Sequence, residues 1–517
     1  MKLTGAWVTA ALWLAVGCGV SCAQRGLAEH APHERHGPNI VVFLVDDLGW
    51  QDTSLALHSE RTPFNSLYRT PNVERLAARG VAFTNAYAAA PVCTPTRASL
   101  MTGQIPARMQ ITYWTLWKDK DQSAPYPNVR APEWNVNGLQ EGDVTLPGLL
   151  QAGGYRTIHV GKAHFGAVGT SGEDPTNLGF DVNVAGHGPG GPASYYGVHD
   201  FTVAKRDGPG GHEGPAVWDI PGLEAYHGED VYLTEVLAAE AAKHLRTAVE
   251  DGVPFYLNFA PYAVHAPIMA NERYAANYEG LDEREAAYAT MVETVDAALG
   301  TLLDLIDELG VTDDTIVVYT SDNGGLSAHA RGGEPHVHNA PLKSGKGSAY
   351  EGGIRVPLVI AWPGHTEAAW RSDAPVVTYD LFPTVLRWAG LRNPQGHVVD
   401  GADLSPTLVE RSPHEMDERT LVWHQPHYWG VRGPGIRPHT SLRRGRWKLI
   451  FRHAERSFEL YDLEADLGET TDLALRDPAR VRELAEAMSR WFEETGAQPS
   501  IDAATGEPLA LPRAYAP

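Results

Sequence analysis

The sequence predicts an α/β fold, a large and mainly parallel sheet sandwiched by helices, with a smaller α+β subdomain at the C-terminal end. Three observations predict it. Apolar strand-like runs alternate with helical stretches through most of the chain, which is how a parallel sheet with helices on both faces reads. Several of those strands end in a polar cluster, and ligands of such sheets bind beyond the carboxyl ends of strands. After about residue 415 the alternation gives way to short strands and one final helix.

The elements follow in order. Asn39 to Val45 (NIVVFLV) is a buried-type strand ending at Asp46-Asp47. Thr70-Pro71 opens a helix, with a capping residue and proline at the first helical position. Thr145 to Ala152 is a helix stopped by Gly153-Gly154, and Tyr155 to Val160 is a strand running into Gly161-Lys162-Ala163-His164. The amphipathic helix Tyr232 to Val249 precedes the strand Pro254 to Phe259, which leads to His265. The long helical stretch Leu281 to Leu309 precedes the strand Thr315 to Thr320, which ends at Ser321-Asp322-Asn323-Gly324. Val356 to Trp362 is a further strand. The segments Gln104 to Gly142 and Gly166 to Gly228 are rich in Gly, Pro, Trp and Tyr; loops of that length in a compact domain form walls or lids. Beyond them, Thr440 to Phe451 and Phe458 to Tyr461 read as strands and Pro478 to Thr495 as a helix. The predicted division is a leader at 1–23, a catalytic domain at 37–415 and the α+β subdomain at 416–517.

Composition narrows the function. A net charge of −22 argues against nucleic acid or an anionic membrane surface as the main partner. Lys2, the apolar run Ala6 to Val20 and the small residues Ser21-Cys22-Ala23 read as an export signal, too short to span a bilayer comfortably. The expected location is periplasmic or extracellular, with a lipid anchor on Cys18 or Cys22 as the alternative, and no membrane-spanning segment is expected in the mature chain. Of the three cysteines only Cys93 lies outside the leader, so an exported protein offers it no disulfide partner. That leaves an inert buried thiol or a chemical one.

Its surroundings favour chemistry. Cys93-Thr94-Pro95-Thr96-Arg97, followed by Ala98-Ser99-Leu100-Met101-Thr102-Gly103, resembles the signature of type I sulfatases, the formylglycine-dependent family of the alkaline phosphatase-like superfamily. Asp46-Asp47-Leu48-Gly49 resembles the family's first metal motif and Ser321-Asp322-Asn323-Gly324 its second. Gly161 to Gly166, His265-Ala266-Pro267, Gly345-Lys346-Gly347 with Tyr350 to Pro357, and Glu459 to Leu463 resemble the remaining segments, in the family's order. Taken singly, each has a plain reading: Asp46-Asp47 and Asp322-Asn323-Gly324 as turns, His164 and His265 as satisfied structural histidines, Lys346 as a loop lysine. A phosphate-binding loop is excluded, because Gly345-Lys346-Gly347 lacks the earlier glycine and the following Ser or Thr.

The resemblance implies the chemistry. A sulfate ester is anionic and needs a cation and a strong nucleophile. Asp46, Asp47, Asp322 and Asn323, together with position 93, would hold the metal; hard oxygen ligands suit Ca²⁺, with Mg²⁺ and its strict octahedron the less suited alternative. Cys93, oxidised to formylglycine by a separate generating enzyme that is a transient partner, would hydrate, attack sulfur and then eliminate sulfate, which a plain serine ester cannot do. Arg97 would hold position 93 and the metal side. Lys162 and Lys346 would clamp sulfate oxygens, His164 would take a proton for the elimination, and His265, with Lys346, would protonate the leaving oxygen.

The reading is an exported sulfatase acting on sulfate monoesters of a sulfated carbohydrate. The alternatives are a formylglycine-dependent phosphonate or phosphodiester hydrolase and a non-catalytic glycan-binding relative. His187, in a Gly/Pro loop, is a candidate substrate contact. So are His427 and Arg437, with His424 and Tyr428, in or beside the stretch Val431 to Ala454, which carries six Arg and one Lys and no acid. Asp143, Asp181 and His159 carry no assigned role.

Overall fold

The computed structural model describes residues 37–208, 216–327, 331–410, 416 and 419–517. The predicted leader, with Cys18 and Cys22, lies outside the described residues. Among the described residues no helix is long and apolar enough to cross a membrane.

The large sheet has eight strands. Five neighbours run parallel, in the order Val182–Val184, Arg156–Gly161, Phe255–Ala260, Asn39–Val45 and Thr315–Ser321. Leu358–Ala361 follows antiparallel, then Val81–Phe83 and Trp370–Ser372, which are parallel to each other. The strand predicted at Val356 to Trp362 is therefore the reversed one, because it returns directly from the segment carrying Lys346 instead of crossing over through a helix. All seven residues of Asn39–Val45 are buried, and Asn39 fixes the start of the register: its amide donates to Thr315 Oγ1 at 3.3 Å and accepts from the Phe255 N–H at 3.3 Å.

Side chains alternate between the faces. Val41, Phe43 and Val45 pack into one core with the helices Leu233–Glu250 and Glu283–Glu308, through Leu237, Leu245, Val295 and Leu299. Ile40, Val42 and Leu44 pack into the opposite core with Cys93–Thr102, Leu146–Ala152 and Leu381–Trp388, through Ala98, Leu100, Leu146 and Phe382. Helix Glu283–Glu308 starts where Asp282 accepts from the N–H groups of Arg284 and Glu285. Burying each Leu or Phe stabilises by about 1.5–3 kcal/mol.

The second sheet is an antiparallel meander of Thr420–Gln425, His439–Arg444, Trp447–Arg452 and Ser457–Asp462. The single strand expected from Thr440 to Phe451 is split into a hairpin at Gly445-Arg446, where Gly445 takes φ +54°. Helix Pro478–Thr495, capped by Asp477 and ended by Gly496 at φ +71°, packs Leu484, Met488 and Phe492 on this sheet. The same core takes in Tyr87, Ile105 and Ile354 of the earlier chain, and the Trp423 indole donates to the Ala88 carbonyl at 2.8 Å.

Candidate active site

Four adjacent parallel strands deliver polar residues at their carboxyl ends. Asp46-Asp47 follows Val45, Lys162 and His164 follow Gly161, His265 lies beyond Ala260, and Asp322-Asn323 follows Ser321. Asp47 and His164 hold left-handed backbone at φ 59° and 52°, a strained conformation for residues other than glycine that is common at functional sites.

Cys93 arrives from the opposite side as the first residue of the wholly buried helix Cys93–Thr102. No side chain caps that helix, and Gly103 at φ 71° ends it. Thr96 braces its start, with Oγ1 accepting from the Ala90 N–H at 3.0 Å. Cys93 Sγ lies 3.7 Å from Asp46 Oδ1 and 3.4 Å from Lys346 Nζ. One turn on, Arg97 Nε donates to Asp322 Oδ2 at 2.8 Å and Nη1 to the Lys162 carbonyl at 2.8 Å. Lys346 reaches the centre by close backbone packing: a Cβ on Gly324 would fall on the Gly352 carbonyl oxygen, and the Gly324 N–H donates to the Gly353 carbonyl at 2.9 Å.

Three buried carboxylates thus face three buried cations. Lys162 Nζ donates to Asp46 Oδ1 at 2.7 Å, Lys346 Nζ to Asp47 Oδ1 at 2.6 Å, and Arg97 to Asp322. Burial drives the Asp46 carboxyl up to about 8 against the pull of Lys162, with Asp322 and Asp47 adding to the rise. Burial also pushes on Asp47 and Asp322, but there the neighbouring cations win and hold both below the usual carboxylate range. The Cys93 thiol is pushed up to about 12, by burial first and Asp322 second. The carboxylates around Lys346 raise it well above an ordinary lysine despite its burial.

The centre fits a hard divalent cation. Ligand atoms of Asp46, Asp47, Cys93 and Asp322 all lie within 4.8 Å of one another. Asn323 Nδ2 donates to Asp47 Oδ1 at 2.8 Å, which turns Asn323 Oδ1 inward; that oxygen and Asp47 Oδ2 are buried with no hydrogen-bond partner. Unpartnered buried acceptors are costly unless a cation takes them.

The two histidines are presented differently. His164 Nε2 donates to the Thr115 carbonyl at 2.9 Å, which leaves the lone pair of the neutral ring on Nδ1, buried and unpartnered. Burial and then Lys162 hold His164 well below an ordinary histidine. His265 Nδ1 donates to the Ala266 carbonyl at 2.7 Å, and its Nε2 lies 3.7 Å from Asp47 Oδ2. Its enclosed setting, then Lys346, lowers it to about 3 against Asp47. A glycine hairpin covers both rings: a Cβ on Gly190 would sit 2.5 Å from His164 Nδ1, and one on Gly191 would sit 3.0 Å from His265 Nδ1.

Above Cys93 opens a cavity of ≈ 210 Å³ walled by Trp114, Trp218, Trp429, Leu326 and Ala266. Trp114 and Trp218 come from the two long loops read as walls, whereas no signal in the sequence singled out these particular side chains.

Three candidate substrate contacts do not line this cavity. His187 Nδ1 pairs with the Tyr262 hydroxyl at 2.7 Å and its carbonyl accepts from the His164 N–H at 3.2 Å, so it supports the catalytic loop from behind. His427 is buried, bonded to Thr112 and Ser123 at 2.8 Å and stacked on Tyr113. Arg437 pairs with Glu455 at 2.9 Å. Three further cations of the stretch to which Arg437 belongs pair with acids within the fold: Lys448 meets Glu351 and Glu469 at 2.9 and 3.0 Å, Arg452 meets Glu459 at 3.2 Å, and Arg446 pairs with Asp462. His424 is likewise internal, bonded to Thr440 and the Gln498 carbonyl. His159, Asp181 and Asp143 make structural hydrogen bonds to Asn258, Thr157 and Gln140.

Residues 38–391 match the Sulfatase family, and residues 345–498 match the family described as N-sulphoglucosamine sulphohydrolase, C-terminal. The chain is similar to a sulfatase of Formosa agariphila, 31% identical over 533 residues and covering 92% of each chain. It is similar to the N-acetylgalactosamine-6-sulfatase of Homo sapiens, 32% identical over 412 residues that cover 76% of this chain and 72% of the human one. Among solved structures it resembles Ps i-CgsB in complex with k-i-k-neocarrahexaose, with a TM-score of 0.70 at 27% identity, covering 88% of this chain and 92% of that chain.

Proposed function

The chain belongs to the sulfatase family and is a sulfuric ester hydrolase, and we propose that it is exported and desulfates a carbohydrate through a formylglycine made from Cys93 and a bound Ca²⁺. The observation that carries this is the position of Cys93: its Sγ lies beside Asp46 and Lys346 at the floor of a cavity walled by tryptophans. The carbohydrate class rests on those indole walls, which suit sugar rings, and on the kinship with an N-acetylgalactosamine-6-sulfatase and with a structure holding a neocarrahexaose. Export rests on the leader.

Converted to formylglycine, position 93 would supply a hydrated aldehyde as oxygen nucleophile toward sulfur and a route to release sulfate by elimination. A Ca²⁺ held by Asp46, Asp47, Asp322 and Asn323 would neutralise sulfate oxygens. The chain's own residues do the rest. Arg97 fixes the first turn of its helix against Asp322, so position 93 cannot swing away. Lys346, charged at neutral pH, faces the cavity floor and stabilises negative charge that develops there. His164 Nδ1 accepts a proton at the side of position 93, in the tautomer that Thr115 imposes. His265 and Lys346 both face the cavity beside position 93, and together they supply the proton for the leaving oxygen.

The test is mass spectrometry of the peptide carrying position 93, from protein made in its own host, alongside sulfate release from sulfated sugars. An aldehyde with its hydrate, and release that disappears in Cys93→Ala, are expected. An unmodified thiol in protein that still releases sulfate would overturn the formylglycine route.

A further inference from the structure

The cavity is unusual in what its walls lack. Trp114, Trp218 and Trp429 reach it from three separate segments, and Leu326, Ala266 and Val92 fill between them. Trp429 is fixed in place: Gly347, at φ +81°, leaves room that a Cβ would close to 2.7 Å from the indole, and Lys346 Nζ lies 5.6 Å from its ring centroid. Trp218 is tied through its carbonyl, which accepts from the Ala193 N–H at 2.6 Å beside the glycine hairpin.

Among the described residues that line the cavity, Lys346 is the only lysine or arginine, and no Asp or Glu is present. Lys346 is already paired with Asp47 at 2.6 Å. Arg97 and Lys162 lie below, fully buried and engaged with carboxylates. One sulfate therefore meets the charge the floor offers, Lys346 and the proposed cation. A second anionic group would be stripped of water against indoles with no counter-charge among the described lining residues, which is strongly unfavourable, whereas an uncharged ring can lay its C–H face on an indole. The volume of ≈ 210 Å³ is below the roughly 300–1,000 Å³ of drug-sized ligand sites and suits one ring.

We propose that this cavity selects a single sugar ring bearing one sulfate and no other charge, that Trp114, Trp218 and Trp429 are its specificity-determining residues, and that it discriminates against uronates and multiply sulfated rings. This rests on the sulfated-carbohydrate reading. Rejection here comes from missing partners as much as from attractive contacts to the accepted ring.

The experiment compares kcat/KM on monosulfated N-acetylgalactosamine isomers, the 4,6-disulfate, a sulfated uronic-acid disaccharide and 4-nitrophenyl sulfate. The wild type should favour its best monosulfate over the two more highly charged sugars by about 30-fold or more. Trp114→Ala and Trp218→Ala should raise KM for that sugar by about ten-fold with kcat moving less, and Trp218→Phe should restore most of it. Equal rates on mono- and disulfated sugars, or alanine variants with unchanged KM and unchanged melting, would overturn the proposal alone. Turnover of 4-nitrophenyl sulfate but of no sugar ester would overturn the carbohydrate reading and this proposal with it.

Discussion

Replacing Gly190 by alanine should separate the chemistry from the fold. The added Cβ would stand 2.5 Å from His164 Nδ1 and closer still to Cε1, where ordinary contact is 3.4–4 Å. The imidazole must therefore retreat by about 1 Å, or the hairpin must. The ring is held by its Nε2–H bond to Thr115 at 2.9 Å and by the His164 N–H to the His187 carbonyl at 3.2 Å. The hairpin is held by Pro189 and Pro192 on either side of the glycines and by Arg206, which donates to the Ala193 carbonyl at 2.6 Å. Crowding of this kind costs about 1–3 kcal/mol of stability. A 1 Å misplacement of a catalytic group costs on the order of 10²-fold in rate. Gly190→Ala should therefore fold, with a modestly lowered urea midpoint, and lose about 100-fold in kcat while KM changes little. Steady-state kinetics on one sulfate ester, with urea melts on the same preparation, measure both. A variant that keeps kcat within threefold of wild type would refute the reasoning that this crowding displaces His164 Nδ1 from its place as proton acceptor.

Three further outcomes are expected. Arg97→Ala leaves Asp322 and Asp46 buried without their guanidinium partner, which should lower unfolding free energy by about 3–5 kcal/mol in chemical denaturation; a loss below about 1 kcal/mol would contradict the pairing. Chelation followed by Ca²⁺ addition should lower and then restore both activity and Tm, with about 2.7 kcal/mol of stabilisation at 100-fold excess over Kd; a Tm indifferent to Ca²⁺ would refute the cation site. Burial holds His424 at about 3 and His439 at about 4 and keeps His427 and His453 low as well, so the unfolded chain binds more protons below about pH 6.5 and stability falls as acid is added. His424 and His439 should each lose ~2 kcal/mol at pH 5, while Glu469, raised by burial to about 7, gives back ~2.5 kcal/mol. Urea melts at pH 7.5 and pH 5 that show equal or greater stability in acid would contradict this balance.

The sheet was legible because its strands are uniformly apolar and its helices carry caps and stops. Its direction was not. Leu358–Ala361 has the composition of its parallel neighbours, and only the return path through Lys346 reverses it. Helix Cys93–Thr102 escaped notice for a different reason: all ten residues are buried, the polar Thr94, Thr96, Arg97, Ser99 and Thr102 among them, so polar and apolar positions do not divide between a solvent face and a core face and no amphipathic period shows. Thr420–Gln425 was missed as well, although five of its six residues are buried.

Within the site, legibility divides by physical cause. The residues at the ends of the strands were readable because hard-oxygen ligation, anion binding and proton transfer each demand a narrow set of side chains, and the topology of a parallel sheet brings those ends together. The basic stretch was hard to read because composition is local and charge pairing is not. Glu351, which pairs with Lys448, lies 97 positions away, so a segment with no acid of its own still finds acid partners in space. The tryptophan walls were unreadable one by one because many apolar side chains can form a wall, and a loop offers no period to say which residue faces in. The same reasoning places the discrimination between substrates in side chains that the reaction itself does not require: Trp114 and Trp218 can change without disturbing the charge balance of Asp46, Asp47, Asp322, Arg97, Lys162 and Lys346. Substrate choice in this fold is therefore free to vary while the carboxylates and cations beneath it are not.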